Sequence, residues 1–174
     1  MVRRCIILPV LLAGLLIGCG QPASLTSEDV GRLRQLNSAN RSLSLEEIKA
    51  VAKIQYRAAL FITKNLELKV QEKDYDLFFR AVPAGALEKY PLLNDAMSSP
   101  IVLNEQYQKY GNRQTSQYDA CEGMLSEAKN LYWIIRETQP QGVLDLTDNG
   151  AVNMQRQKID QATQACSQVL AKSV

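Results

Sequence analysis

The apolar residues of this chain recur every three or four positions along nearly all of residues 27–174, and no two segments alternate as paired strands would. This spacing places the apolar side chains on one face of an α-helix. Several such amphipathic helices bury their apolar faces against one another. The sequence therefore predicts an all-α fold, a bundle of several helices.

Capping signals and helix-stopping residues divide the pattern into separate helices. A first helix is expected to begin at Ser27 and to end within Asn37–Asn40, and a long one follows the Ser44–Glu47 capping box. Pro91 and Pro100 suit first-turn positions of short helices. Gly111 suits a helix C-terminus. The middle of the chain is therefore expected to hold shorter helices than its two ends.

The last two helices carry the clearest apolar stripes. The first of them, expected to begin at a Ser116–Asp119 capping box, has a stripe made of Tyr118, Cys121, Leu125, Ala128, Tyr132 and Ile135. The second has a stripe made of Val152, Ile159, Ala162, Cys166 and Val169. Two antiparallel helices packed face to face would bring the two cysteines together. The predicted fold is therefore consistent with a disulfide between them.

The N-terminal segment has the three parts of an export signal. Two arginines form a positive end, and the apolar run that follows is shorter than the roughly 20 residues that span a bilayer. It ends in Leu16-Ile17-Gly18-Cys19, which resembles the lipobox of bacterial lipoproteins. An ordinary secretory signal ending near Ala23, or an uncleaved anchor, are the alternatives.

The resemblance implies cleavage before Cys19, a diacylglyceryl group on its thiol and usually an acyl chain on its new amine. Two or three chains make membrane attachment effectively permanent. By the same resemblance an aspartate after the cysteine retains a lipoprotein at the inner membrane, and this chain has Gly20 there. We therefore expect a lipid-anchored protein of the bacterial envelope, on the outer membrane and facing the periplasm.

These boundaries give a signal at residues 1–18, a lipidated cysteine and short tether at 19–26, and a single helical domain at 27–174. The chain has 20 Lys+Arg and 18 Asp+Glu. Since two arginines belong to the signal, the remainder is formally neutral, and no nucleic-acid partner is expected. With Cys5 removed and Cys19 lipidated, Cys121 and Cys166 remain as a pair in an oxidising compartment, which favours a disulfide.

The absence of histidine removes the commonest general base, the usual catalytic triads and most zinc sites. Ser126 and Lys129 match a Ser-x-x-Lys motif, but its companion motifs are missing and both residues are expected on the polar side of a helix. The segment Asp145–Gly150 partly imitates a calcium loop, yet its twelfth position is Arg156 rather than glutamate. No catalytic residue, metal or cofactor is therefore predicted.

Two surfaces are candidates for a partner. Lys49, Lys53, Arg57 and Lys64 follow one side of the long helix, but Glu46 and Glu67 share that side, as is typical of a solvated face. Trp133 lies outside the stripe of its helix, and Ile134 lies off it on the other side. The length of the chain favours a second layer of helices that covers Trp133, and the alternative is that Trp133 anchors a partner.

These features favour a non-catalytic envelope lipoprotein, whose tethered helical domain binds a protein partner and helps it to assemble, localise or be inhibited. Pilotins of secretion systems are similar in architecture, although no pilotin motif is matched. One alternative is an enzyme acting on envelope polymers, which requires a cleft with two converging carboxyl groups. Another is a carrier of an apolar ligand, which requires a lined cavity inside the bundle.

Overall fold

A computed structural model describes residues 24–74, 76–78, 87, 89–138, 146 and 149–172. Cys19, the export segment, residues 145, 147 and 148 of the Asp145–Gly150 loop and the C-terminal residues 173–174 lie outside these residues. Within them the chain forms α-helices and 3-10 turns and no strand, so the predicted all-α fold is confirmed. The helices are α1 (Ser27–Asn37), α2 (Leu45–Gln71), α3 (Pro91–Met97), α4 (Val102–Tyr110), α5 (Asp119–Thr138) and α6 (Gly150–Lys172).

The first two helices begin at reciprocal side-chain caps. In α2 the hydroxyl of Ser44 accepts the backbone N–H of Glu47 at 3.3 Å, and the Glu47 carboxylate accepts the N–H of Ser44 at 2.9 Å. This is the predicted capping box. The start of α1 uses the same device, which the sequence analysis had not singled out, between Thr26 and Asp29. Each cap satisfies two N–H groups that a helix leaves without an intrahelical acceptor.

The short helices are bounded differently. Pro91 occupies the first turn of α3 as predicted, whereas Pro100 lies one residue before the N-cap Ile101 of α4. The first-turn prediction for Pro100 was therefore wrong. Gly111 ends α4 with a φ of 62°, in the left-handed region that glycine adopts without a Cβ penalty. The side chain of Ile101 cannot cap α4, because it carries no hydrogen-bond acceptor.

The start of α5 also departs from the prediction. Ser116 lies within a 3-10 turn, Arg113–Tyr118, and donates its hydroxyl to the carbonyl of Arg113 at 2.8 Å. The predicted Ser116–Asp119 box is therefore wrong, because a continuous 3-10 turn leads into the helix. Asn112 caps this turn, with its Oδ1 accepting the N–H of Gln114 at 3.2 Å.

The core lies where α5 packs on α2 and on α6. Every member of the predicted stripe on α5 is buried. On α6, Val152, Ile159 and Cys166 are buried, while Ala162 and Val169 are partly buried against the same core. Since α1, α3 and α4 all contact α2, the long helix holds the N-terminal half of the bundle together.

The two C-terminal helices are antiparallel and disulfide-bonded, as predicted. Cys121 in the first turn of α5 is bonded to Cys166 near the end of α6, with a Cα–Cα distance of 4.7 Å. Further along α5, the carbonyl of Glu127 accepts the side-chain N–H of Gln155, which lies earlier in α6, at 2.8 Å. The later residue of α5 therefore contacts the earlier residue of α6, which is the order expected for antiparallel helices.

Replacing both Cys121 and Cys166 with alanine is expected to lower the free energy of unfolding by about 4 kcal/mol, because a loop of this length is freed in the unfolded chain. The corresponding fall in melting temperature is roughly 10 °C for a chain of this size. Reduction of the wild-type protein should cause a similar fall and leave the double variant unchanged. A wild-type melting temperature that does not move after verified reduction would contradict the prediction.

Candidate functional site

An open groove of about 780 Å³ lies between α4 and the segment formed by the 3-10 turn and the first two turns of α5. Its volume falls within the range of small-ligand sites. The residues that line it are Ile101, Asn104, Tyr107, Gln108, Arg113, Thr115, Ser116, Asp119, Glu122, Gly123 and Ser126.

Helical spacing explains why these side chains share the groove. Asn104, Tyr107 and Gln108 stand three and four residues apart and therefore occupy one face of α4. Asp119, Glu122, Gly123 and Ser126 show the same spacing on α5. The groove thus lies between two helix faces, and most of its side chains carry hydroxyl, amide or charged groups rather than apolar ones.

Glu122 joins the two walls of the groove. Its carboxylate accepts the backbone N–H of Leu103 at 2.6 Å and that of Asn104 at 3.0 Å, both in the first turn of α4. It also accepts the side-chain N–H of Gln55, on α2, at 3.3 Å. A carboxylate from α5 therefore caps α4, where the helix dipole favours a negative charge.

The environment of this carboxylate raises its pKa. Glu122 is only 8% exposed, and burial raises the pKa of its carboxyl group above the ordinary value, as does the nearby charge of Asp119. The hydrogen bonds from Gln55 and α4 act in the opposite direction without offsetting the burial. Among the described residues the fully buried Oε1 of Gln55 has no hydrogen-bond donor, although Nε2 of the same amide donates to Glu122.

Lys129 is a second charged residue on this side of α5, and it is partly buried. Its ammonium group donates to the carbonyl oxygen of Ser99, before α4, at 2.5 Å. Burial lowers the pKa of Lys129, while the charge of Glu122 raises it. The expectation that Lys129 lies on a polar surface was therefore wrong, and Ser126 lines the groove. The Lys129 amine bonds Ser99 rather than Ser126, so the Ser-x-x-Lys pair does not form a nucleophile and base here.

Trp133 is half exposed, at 50%, so the expectation that a second layer of helices covers it was wrong for the described residues, which leave one side of the indole open to solvent. The Tyr132 ring packs against the indole in a T-shaped arrangement, with ring centroids 5.1 Å apart at 79°. The guanidinium of Arg136 lies 5.3 Å from the indole centroid, within cation–π range. Ile134 is partly buried against the core and is not part of the exposed surface.

The predicted basic row is divided by local ion pairs. Lys49 contacts Glu46 at 3.2 Å, and Arg57 pairs with Asp29 of α1. Lys53 and Lys64 are exposed. Half of the row is therefore neutralised by partners within the protein, which agrees with a solvated face rather than a continuous cationic patch.

The described residues contain no group of three or more metal-ligating side chains and no helix long and apolar enough to cross a membrane. Comparison of the chain with known protein families, curated proteins and solved structures gave no match. The groove and the Trp133 surface therefore have to be interpreted from their own geometry.

Removing the Glu122 carboxylate is expected to destabilise the protein. Glu122→Ala leaves two N–H groups of α4 without an acceptor, which costs about 1–3 kcal/mol of unfolding free energy. Glu122→Gln keeps an acceptor oxygen and is expected to cost less. Urea unfolding of the two variants measures both effects, and an alanine variant as stable as the wild type would contradict the assigned role.

The raised pKa predicts a pH dependence with a defined sign. The folded protein holds the Glu122 proton more tightly than the unfolded chain, so this group lowers stability as the pH rises from about 4.5 through its folded-state pKa. Glu47 acts oppositely, since a hydrogen bond from Arg41 lowers its pKa to about 2 and its contribution is lost as the pH falls. The stability difference between the wild type and Glu122→Gln, measured from about pH 4 to 8, isolates the Glu122 effect. A pH-independent difference would contradict it.

Proposed function

We propose that this chain is a non-catalytic lipoprotein of the bacterial envelope, whose helical domain binds a protein partner through a surface centred on Trp133. The observation that carries the proposal is the half-exposed Trp133 indole with Arg136 beside it. Tryptophan and arginine are the residue types most enriched among those that dominate binding energy at protein interfaces.

The local packing of Trp133 supports this role. The Tyr132 ring packs against the indole, and the phenol of Tyr132 donates to the carbonyl of Leu77 at 3.4 Å. A side chain that is already held in place loses little conformational entropy when a partner covers it. The disulfide at the opposite end of α5 further restrains this helix. The surface is therefore preorganised for binding.

The proposed tether starts at Cys19, which the lipobox resemblance makes the lipid-carrying residue. Residues 20–26 are expected to reach at most about 25 Å when extended, so the domain stays close to the membrane. The Cys121–Cys166 bond supports an oxidising compartment such as the periplasm. Outer-membrane attachment remains part of the proposal and rests on Gly20.

The two alternative functions, an enzyme and a carrier of an apolar ligand, have less support than the proposed partner binding. An enzyme acting on envelope polymers has a possible carboxyl pair in Asp119 and Glu122, which line the same groove. Both oxygens of Glu122 are, however, engaged by N–H donors that hold α4, and a carboxylate in that role is not available to a substrate. A carrier of an apolar ligand requires an apolar cavity inside the bundle, whereas this groove is open to solvent and lined by both polar and apolar surface.

The partner surface is tested by placing a photo-crosslinking amino acid at position 133 in cells. A discrete crosslinked product is expected, and Arg136→Ala should weaken it if the two side chains act together. The matched control is position 154, where Met154 is 58% exposed on α6. Equal products at both positions, or none at position 133, would contradict the proposal.

The tether is tested separately by Cys19→Ser. The wild-type protein isolated from membranes is expected to begin at Cys19 and to carry fatty acids, which mass spectrometry of the N-terminal peptide detects. The serine variant should carry none and should leave the membrane fraction or remain uncleaved. A wild-type protein that begins upstream of Cys19 or lacks fatty acids would overturn the envelope assignment.

A further inference from the structure

We propose that the groove between α4 and α5 binds a neutral, polyhydroxylated ligand, a saccharide chain, and that Gly123 keeps the groove open for it. This inference concerns a different surface from Trp133 and does not depend on the proposed protein partner or on the lipid tether.

Gly123 is a glycine within a helix, and it lines the groove. It lies inside α5, where glycine is a poorer helix former than alanine. An added Cβ would meet no atom within 4 Å, and the backbone does not have the positive φ that favours glycine. Neither packing nor backbone geometry requires a glycine at this position. A side chain there would project toward the groove that Gly123 lines.

The uncommitted polar groups of the lining are the second observation. On the α4 wall these are the side chains of Asn104, Tyr107 and Gln108. On the opposite wall they are those of Arg113, Asp119 and Ser126. Within the described part of the chain, none of these six side chains forms a hydrogen bond to another residue. The groove therefore presents donors and acceptors on both walls, with amide and hydroxyl groups outnumbering charges.

The charges and side-chain types of the lining favour a saccharide over a nucleic acid or a peptide. A polyanion such as a nucleic acid is disfavoured, because the lining contains one arginine and two carboxyl groups. Peptides bind a sheet edge, an apolar groove or an aromatic-lined groove, and this lining provides only one isoleucine and one tyrosine. Sugar hydroxyls match the amide and hydroxyl groups of both walls. The Tyr107 ring, 47% exposed, offers a flat face for the C–H side of a sugar ring.

Glu122 gives the groove a fixed width. Its hydrogen bonds to Leu103 and Asn104 join the floor of the groove to the start of α4, so the two walls are held before any ligand arrives. A preformed site avoids the cost of ordering on binding. The groove is also open to solvent along its side, which suits a continuous chain better than an isolated small molecule.

The test compares Gly123→Gln with Gly31→Gln in the intact protein, kept in mild detergent. Gly31 is the matched control, because it lies inside α1, has nothing within 4 Å of an added Cβ and is outside the groove. Both substitutions replace glycine with a better helix former, so neither is expected to lower the melting temperature. The probes are the tetramers of N-acetylglucosamine and of glucose, and an end-blocked tetra-alanine peptide, titrated by calorimetry and by NMR.

Saturable binding of at least one sugar tetramer to the wild type and to Gly31→Gln is expected, with an affinity at least tenfold lower for Gly123→Gln. The amide signals of Asn104 and Gln108 should shift on binding. Absence of saturable sugar binding at millimolar concentrations, or binding that Gly123→Gln does not weaken, would overturn the inference. Binding of the peptide alone would overturn the saccharide assignment. Crosslinking from position 133 does not involve the groove, so the two proposals can fail independently.

Discussion

The carboxylate of Glu122 connects three helices. It extends from α5, accepts two backbone N–H groups at the start of α4 and binds the amide of Gln55 on α2. A buried carboxylate is costly unless several donors surround it, and these three donors come from elements that must be docked before they can bind it. The position of α4, and with it the groove, depends on this contact.

Cys121, which precedes Glu122 in the same turn of α5, forms the disulfide to α6. Cys121 bonds α6, while Glu122 binds α4 and α2. The disulfide acts chiefly by restricting the unfolded chain, whereas the carboxylate acts in the folded state through hydrogen bonds. The first turn of α5 therefore holds the C-terminal pair of helices and the short α4 in one arrangement. Trp133 lies three turns further along the same helix, on a surface that these contacts leave open.

Much of this arrangement follows from local sequence. The three-and-four spacing predicted the helices, and the Ser44–Glu47 box predicted the start of α2, because both depend on residues close in the chain. The disulfide followed from two cysteines in facing stripes. Ser116–Asp119 and Pro100 were misassigned, since a 3-10 turn and an extended residue before a helix leave similar local patterns.

Glu122 was missed because its role is not local. In the sequence it is one acidic residue beside a stripe, and nothing in its own neighbourhood identifies the N–H groups it accepts. A signal did exist in α4, where Ile101 offers no capping side chain and an acceptor from elsewhere is required. Lys129 was misplaced for the same reason, since the segment that buries it lies about thirty residues away, at Ser99.

Amide hydrogen exchange at the start of α4 tests the central role of Glu122 most directly. The first N–H groups of a helix exchange rapidly when only water accepts them. If Glu122 caps α4, the amides of Leu103 and Asn104 will exchange as slowly as those in the middle of this helix. Fast exchange at both positions in an otherwise protected helix would show that the carboxylate does not hold α4, and the account of the groove would fail with it.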